Sequence, residues 1–431
     1  MMKNQFLKEL KWRGLIHDVT PEIEKYLDKR DAYAYIGFDP TSNSLHIGSL
    51  VQLIILIHFK KYGYNPIALI GGATGMIGDP SGKSKERVLL DSDTIKENVI
   101  SLEKQLNKFF LATNKTKSDC LVLNNLRWID KFSFIEFCRD IGKHISVNYM
   151  ISKDSVKNRI KSDSNSGMSF TEFTYQLFQA FDFFYLSKKF NCLLQIGGSD
   201  QWGNITTGIE LIRRKSGVNA HALTCPLITK SDGKKFGKTE SGNIWLDKNK
   251  TSTYKFYQYW LNISDEDAFN YIKIFTFLEK DLIGNLIANH KKDPHLRIVQ
   301  KKLAEEVTIM VHSKEELDNA KLASKILFGS STFEDLKKIK KEFFIEIFNG
   351  VPQFEISLDK VSSGLKIIEA LTLNSIFLKS NAEARRLLFQ NSISINKNKV
   401  DQNYIVSDKD IVNDCILIQK GKKNYFLLKV I

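Results

Sequence analysis

His46 and Thr41 flank the start of an apolar run, and the chemistry that suits them is the binding of an anion. The stretch Tyr35-Ile36-Gly37-Phe38-Asp39-Pro40-Thr41 reads as a short buried strand. It stops at Asp39-Pro40, because proline cannot donate to a ladder and holds the preceding residue extended. Leu45-His46-Ile47-Gly48-Ser49 then opens a helix, since Leu50, Leu53, Ile54 and Ile57 recur at helical spacing after a polar Thr-Ser-Asn-Ser loop. A strand that turns into a helix N-terminus is expected to point free backbone N–H groups and a positive dipole end at whatever docks there. His46 adds a ring nitrogen, and Gly48 is expected to let a nucleotide approach the backbone. Taken alone, a histidine at a helix start is more often a cap than a ligand-binding group.

Three further clusters carry polar groups at informative spacing. Tyr175, Gln179 and Asp182 fall at i, i+4 and i+7, which stacks a phenol, an amide and a carboxylate on one helical stripe behind a Ser169/Glu172 capping box. Their neighbours Phe173, Leu177, Phe178 and Phe181 require burial, and buried polar groups need partners that a polar ligand could supply. Gly197-Gly198-Ser199-Asp200-Gln201 follows a strand-like Cys192 to Ile196, repeating the opening design and placing Asp200 for a ribose hydroxyl. Lys234-Lys235-Phe236-Gly237-Lys238-Thr239 is a basic loop around a glycine, suited to charge that develops on phosphate during transfer.

The segment Gly71 to Ser84 is glycine-rich, but a Walker loop needs about four residues between the glycine and Gly-Lys-Ser. Gly78 and Gly82 are separated by three. It reads instead as a flexible turn that lets backbone approach a ligand, with Asp79 as its charged member.

These residues need a frame. Asn65 to Ile70 is a compact apolar run that fits a parallel strand buried on both faces. With the strand and helix before it, this makes a βαβ unit, and such units wind right-handed into a parallel sheet with ligands at the carboxyl ends of its strands. The expected fold is α/β, a Rossmann-like parallel sheet followed by an α-helical region and a small α+β module. Residues 92–170 read as mostly helical and chemically quiet.

The chain has 431 residues, with 63 Lys+Arg against 49 Asp+Glu, a formal charge of +14 and a pI near 9.2. That excess favours polyanionic partners, nucleic acid first. Five scattered cysteines with no Cys-x-x-Cys pair argue against a disulfide framework or zinc site and suit a reducing cytosol. Met1 to Gly14 lacks the apolar core of a signal peptide, and the run Leu50 to Phe59 is too short to span a bilayer. A cytoplasmic protein without membrane contact is expected.

Tyr35 to Ser49 resembles the first signature of the class I aminoacyl-tRNA synthetases, and Lys235 to Thr239 resembles the second. Together with Gly71 to Gly82, Ser169 to Asp182, and Gln195-Ile-Gly-Gly-Ser-Asp-Gln-Trp-Gly-Asn-Ile, these motifs resemble the bacterial tyrosyl-tRNA synthetase family, in family order over residues 33 to 247. The resemblance implies activation of L-tyrosine by ATP to an adenylate, then transfer to tRNA(Tyr). It implies that Tyr35 and Asp182 bind the phenol, that Asp79, Tyr175 and Gln179 hold the ammonium group, and that Gln201 lies by the carboxylate. His46 and Thr41 would meet the ATP phosphates, Asp39, Gly48, Ser49, Gly198 and Asp200 would surround the nucleoside, and Lys235 with Lys238 the departing pyrophosphate. ATP enters as substrate, with Mg²⁺ accompanying it and no protein-bound metal, and a homodimer is implied.

Two positions depart from the family pattern: Ser49 stands where a second histidine is usual, and Ile36 where cysteine is frequent. By the same resemblance, residues 1–247 form the activation domain and 248–348 a helical tRNA-facing domain. Residues 349–363 form a linker, and 364–431 a small RNA-binding module whose candidate phosphate contacts are Arg385, Arg386, Lys422 and Lys423. The rivals are a tryptophan-specific relative, disfavoured by the Tyr35 and Asp182 pair, and an RNA-binding protein that has lost activation, disfavoured by the intact lysine loop.

Overall fold

The structure is a computed structural model; it describes every residue except 1–2, 30, 83–86, 113–119, 162–166, 234–235, 240–241, 329–331, 349–350 and 422–423. The chain forms two compact units, residues 1–251 with 262–311, and residues 252–261 with 312–431. Residues 248–348, which the resemblance presents as one helical domain, are therefore distributed over both.

The first unit is built on a six-stranded sheet of β1 (Asp18–Val19), β2 (Tyr33–Phe38), β3 (Asn65–Ile70), β4 (Leu121–Asn124), β5 (Leu194–Gly198) and β6 (His221–Cys225), in the order β1-β6-β5-β2-β3-β4. All neighbours run parallel except β1, which pairs antiparallel with β6. Ile67, Ala68 and Ile70 are fully buried, as a strand covered on both faces requires. Strand β4 lies within the region read as mostly helical. Its run Leu-Val-Leu-Asn is too short for periodicity to separate strand from helix, and pairing with β3 decides the matter.

Helix α1 (Ile47–Lys61) follows β2, and it is apolar almost all round because it is enclosed. Helices α2 (Phe170–Phe190) and α3 (Trp202–Ser216) flank β5, and α4 (Asp265–Phe275), α5 (Lys280–Lys292) and α6 (Ile298–Val311) complete the unit. The basic loop leads into a hairpin of β7 (Lys238–Thr239) and β8 (Gly242–Asn243). Strand order reverses between β2, which continues to β3, and β5, which continues to β6. The crevice at that reversal is where open parallel sheets bind ligands.

The second unit has a sheet in the order β12-β11-β14-β15-β9. Its strands are β9 (Gln353–Ile356), β11 (Ile393–Ile395), β12 (Asn398–Lys399), β14 (Cys415–Lys420) and β15 (Asn424–Val430), while β10 (Leu365–Lys366) pairs separately with β13 (Ile405–Val406). Side chains alternate as period two demands. Ile416, Ile418, Phe426 and Leu428 enter one core with helix α8 (Asn381–Phe389), whereas Cys415, Leu417, Tyr425 and Leu427 enter another with helix α7 (Lys314–Phe328). The stretch 349–363, read as a linker, carries β9 in parallel register with β15 and a short helix, Leu358–Ser362. Its Gln-Phe-Glu-Ile alternation is a strand signal that a Gly-Val-Pro neighbourhood obscures.

Candidate active site

A cleft of about 650 Å³ opens at the carboxyl ends of the central strands. Tyr35, Asp39, Thr41, His46, Gly48, Ser49, Asp79, Tyr175, Gln179, Asp182, Gly198, Asp200 and Gln201 all line it, so the sheet reversal gathers four stretches separated by up to 166 positions, counted from Tyr35 to Gln201. Lys235, Lys422 and Lys423 lie outside the described residues, and Lys238 is placed by its backbone in β7. Arg385 and Arg386 are exposed on α8, in the second unit.

At the deep end, the Tyr35 hydroxyl is buried and has no hydrogen-bond partner among the described residues. Its ring sits edge-on to Phe183 at 5.4 Å. Asp182, also buried, accepts from the Trp128 indole N–H at 2.8 Å through Oδ1 and from Asn125 Nδ2 at 2.9 Å through Oδ2. Burial pushes the Asp182 carboxyl up to about 7 against the pull of those two donors. Burial, then the Asp182 charge, also raises the Tyr35 phenol well above its ordinary range.

Nearer the mouth, Asp39 Oδ1 accepts from Thr74 Oγ1 and Oδ2 from the Tyr175 hydroxyl, each at 2.8 Å. Burial and the neighbouring Asp79 charge raise Asp39 to about 6. Asp79 Oδ2 accepts from Gln201 Nε2 at 2.8 Å, and its backbone carbonyl accepts from Arg87 Nε at 3.0 Å. Asn204 Nδ2 lies within 3.1 to 3.4 Å of Gln179 Oε1, Ser81 Oγ, Gln201 Oε1 and Asp79 Oδ1. Two hydrogens cannot serve four acceptors at once. The cluster therefore keeps acceptor capacity for a cation.

The helix start corrects the expectation of free N–H groups. Ile47 N–H donates to Ile244 O at 2.9 Å, Gly48 N–H to His46 Nδ1 at 3.0 Å, and Ser49 N–H to His46 O at 2.9 Å. His46 is thus the N-cap of α1. Because Nδ1 accepts, the neutral ring carries its proton on Nε2, as a donor. A Cβ on Gly48 would stand 2.7 Å from His46 Cε1, so the imidazole can cap the helix here only over a glycine.

The glycine-rich segment is likewise packed, contrary to the flexible turn expected. A Cβ on Gly71 would fall 2.0 Å from Asp39 Oδ1, and one on Gly75 would fall 2.8 Å from Pro40 Cδ, so the helical turn Thr74–Ile77 can lie against Asp39-Pro40 only with glycines. Ser169 Oγ caps α2 by accepting from Glu172 N–H, while the Glu172 carboxylate pairs with buried Arg159 at 3.0 Å.

Asn125 and Trp128, in the region read as quiet, hold Asp182. The polar pair at i and i+3 in Asn-Leu-Arg-Trp was the available signal. Asn204 and Thr74 stood inside segments already singled out, without a role.

Residues 27–329 match the family described as class I tRNA synthetases (W and Y), and residues 344–428 match the tyrosine–tRNA ligase SYY-like C-terminal domain. The chain is 60% identical to a tyrosine–tRNA ligase of Flavobacterium psychrophilum, with 100% of each chain covered. It is 53% identical to one of Bacteroides fragilis, over 98% of this chain and 99% of that one. Among solved structures, a C-terminally truncated mitochondrial tyrosyl-tRNA synthetase of Aspergillus nidulans superposes with a TM-score of 0.66 at 32% identity, covering 76% of this chain and 95% of that chain.

Proposed function

Because this chain belongs to the class I tRNA synthetases for tryptophan and tyrosine, we infer that it charges tRNA(Tyr) with L-tyrosine. A carboxylate oxygen of tyrosine attacks the α-phosphorus of ATP, the bond to the bridging oxygen breaks, and pyrophosphate leaves with the electron pair. A ribose hydroxyl of the tRNA terminal adenosine then attacks the tyrosyl carbonyl, and AMP departs. Mg²⁺ travels with the ATP phosphates as part of the substrate.

The observation that carries tyrosine as the amino acid is the presence, in one cleft, of Asp182 and of a buried Tyr35 hydroxyl with no hydrogen-bond partner among the described residues. A phenol placed there donates to Asp182 and accepts from Tyr35. Phenylalanine leaves both groups unpaired, and enzymes of this type are themselves the known example of such rejection, at about 10⁵ without editing. Asp79, Tyr175 and Gln179 take the ammonium group and Gln201 the carboxylate side. Asp39, Gly48, Ser49, Gly198 and Asp200 surround the nucleoside. His46, through Nε2, joins Thr41, Lys235 and Lys238 at the phosphates, where catalysis is positioning and charge stabilisation.

Residues 1–247 carry activation. Residues 248–348 and 364–431 meet the tRNA, with Arg385, Arg386, Lys422 and Lys423 on its phosphates. The enzyme works in the cytoplasm; five free cysteines accord with that compartment. It works as a homodimer, which accords with exposed Phe134, Ile135, Val147, Ile160 and Phe170 on successive helical segments. Aminoacylation of tRNA(Tyr) with labelled tyrosine tests the reading, and no charging under conditions that fully charge it with a known ligase refutes it. A monomer by sedimentation at micromolar concentration would remove the dimer.

A further inference from the structure

The nucleotide end of the cleft is pinned from one side by a short segment that none of the roles above uses. Ile244 O accepts from Ile47 N–H at 2.9 Å, Ile244 N–H donates to Gly237 O at 3.2 Å, and Leu246 N–H donates to Leu45 O at 2.9 Å. His46 and Trp245 are thereby bridged as antiparallel partners. One residue, Ile244, links the glycine of the basic loop to the first residue of α1. Gly237 is seated there with φ +82°, and a Cβ on it would stand 3.0 Å from Ile47 Cγ1.

The side chains continue the contact. The Trp245 indole meets the His46 ring edge-on at 6.1 Å and 67°. Lys250 Nζ lies 4.5 Å above the indole and donates to Ser42 Oγ at 3.0 Å. Trp245 is thus held between a cation, tethered to the loop before α1, and the imidazole. A chamber of about 210 Å³ is walled by Thr41, His46, Asn243 and Trp245, so truncating the indole opens room into which the imidazole can turn.

We propose that Trp245, clamped by Lys250, is a positioning residue for the adenylate-forming step: it fixes the His46 ring beside the root of the basic loop, which the Ile244 backbone holds. This rests on the reading that His46 and that loop meet the ATP phosphates. The tyrosine pocket, built by Tyr35, Asp182 and the Asp79 cluster, does not depend on it.

The test measures tyrosine-dependent exchange of labelled pyrophosphate into ATP, and tyrosine binding by equilibrium dialysis, in the full-length enzyme. Trp245→Ala lowers the exchange kcat by about 100-fold, the cost of a misplacement of about 1 Å, and leaves the tyrosine Kd within about twofold. Trp245→Phe keeps an aromatic edge and restores exchange to within about fivefold. In a cycle with His46→Ala, the double variant is no slower than His46→Ala alone, because the indole acts through the imidazole. Losses that multiply, a parallel loss of tyrosine affinity, or a phenylalanine variant as impaired as alanine overturn the proposal. Should Trp245→Ala fail to fold, exposed Lys250→Ala carries the test. A drop in exchange of about threefold with tyrosine binding intact supports the clamp, and unchanged exchange overturns it. Wild-type enzyme that shows no exchange refutes the underlying reading, which the variants alone do not touch.

Discussion

The Tyr175 hydroxyl donates to Asp39 Oδ2 at 2.8 Å, tying helix α2 to the end of strand β2 across the mouth of the cleft. A residue expected to face only the substrate ammonium thus also holds a carboxylate of the opposite wall. Tyr175→Phe removes that donor and leaves a buried carboxylate oxygen short of a partner. Tyrosine affinity should fall by about 1–2 kcal/mol, on the order of tenfold, as read by calorimetric titration. Unchanged affinity would separate Asp39 from amino-acid binding.

Trp128 and Asn125 each satisfy one oxygen of Asp182. Trp128→Phe keeps a ring stacked on Tyr185, 4.4 Å away in the native enzyme, but loses the indole donor. Tyrosine binding should weaken on the order of tenfold while KM for ATP holds, since the lost bond acts at the phenol end alone. An equal rise in both constants would indicate collapse of the cleft.

Asp182 and Asp39 are raised to about 7 and about 6, in both cases first by burial. Because each folded value lies above the ordinary one, the stability each contributes is fully present below about 3.8 and is lost as pH rises through the folded value. The unliganded enzyme should therefore lose thermal stability between about pH 4 and 7, with a shallower fall in Asp182→Asn. Tyrosine affinity should rise over the upper part of that range, because a phenol donor favours the ionised carboxylate. Unfolding midpoints at pH 5 and pH 8, with and without tyrosine, check both, and identical slopes for the two proteins would contradict the assignment to Asp182.

Ser49 lines the cleft where a second histidine is usual in the family. Ser49→His should speed adenylate formation by about fivefold, equivalent to about 1 kcal/mol for one restored polar contact. Stopped-flow measurement of the first step reads this directly, and no change would mean that other groups already meet the nucleotide sugar.

The stripe of Tyr175, Gln179 and Asp182 was legible because helical periodicity is local. The junction at Tyr35 to Ser49 and the turn Gly197 to Gln201 were legible because proline and glycine punctuate the chain. Asn125 and Trp128 were not, because their partner Asp182 lies 57 and 54 positions away, and Asn204 was not, because the Asp79 it reaches lies 125 positions away. The glycines at 48, 71 and 75 showed that close approach was needed but not what approaches; His46, Asp39 and Pro40 stand where their Cβ atoms would be. At 349–363, turn residues outweighed a four-residue strand that only its partner β15 makes visible.

The central claim is that the cleft activates an amino acid by recognising a phenol. Its most direct test is exchange of labelled pyrophosphate into ATP without tRNA, comparing tyrosine, phenylalanine and tryptophan. The account predicts exchange with tyrosine and a discrimination against phenylalanine of several orders of magnitude, on the scale of about 10⁴ to 10⁵ expected when buried polar groups are left unpaired. Comparable exchange with phenylalanine or tryptophan, or none with tyrosine, would contradict it.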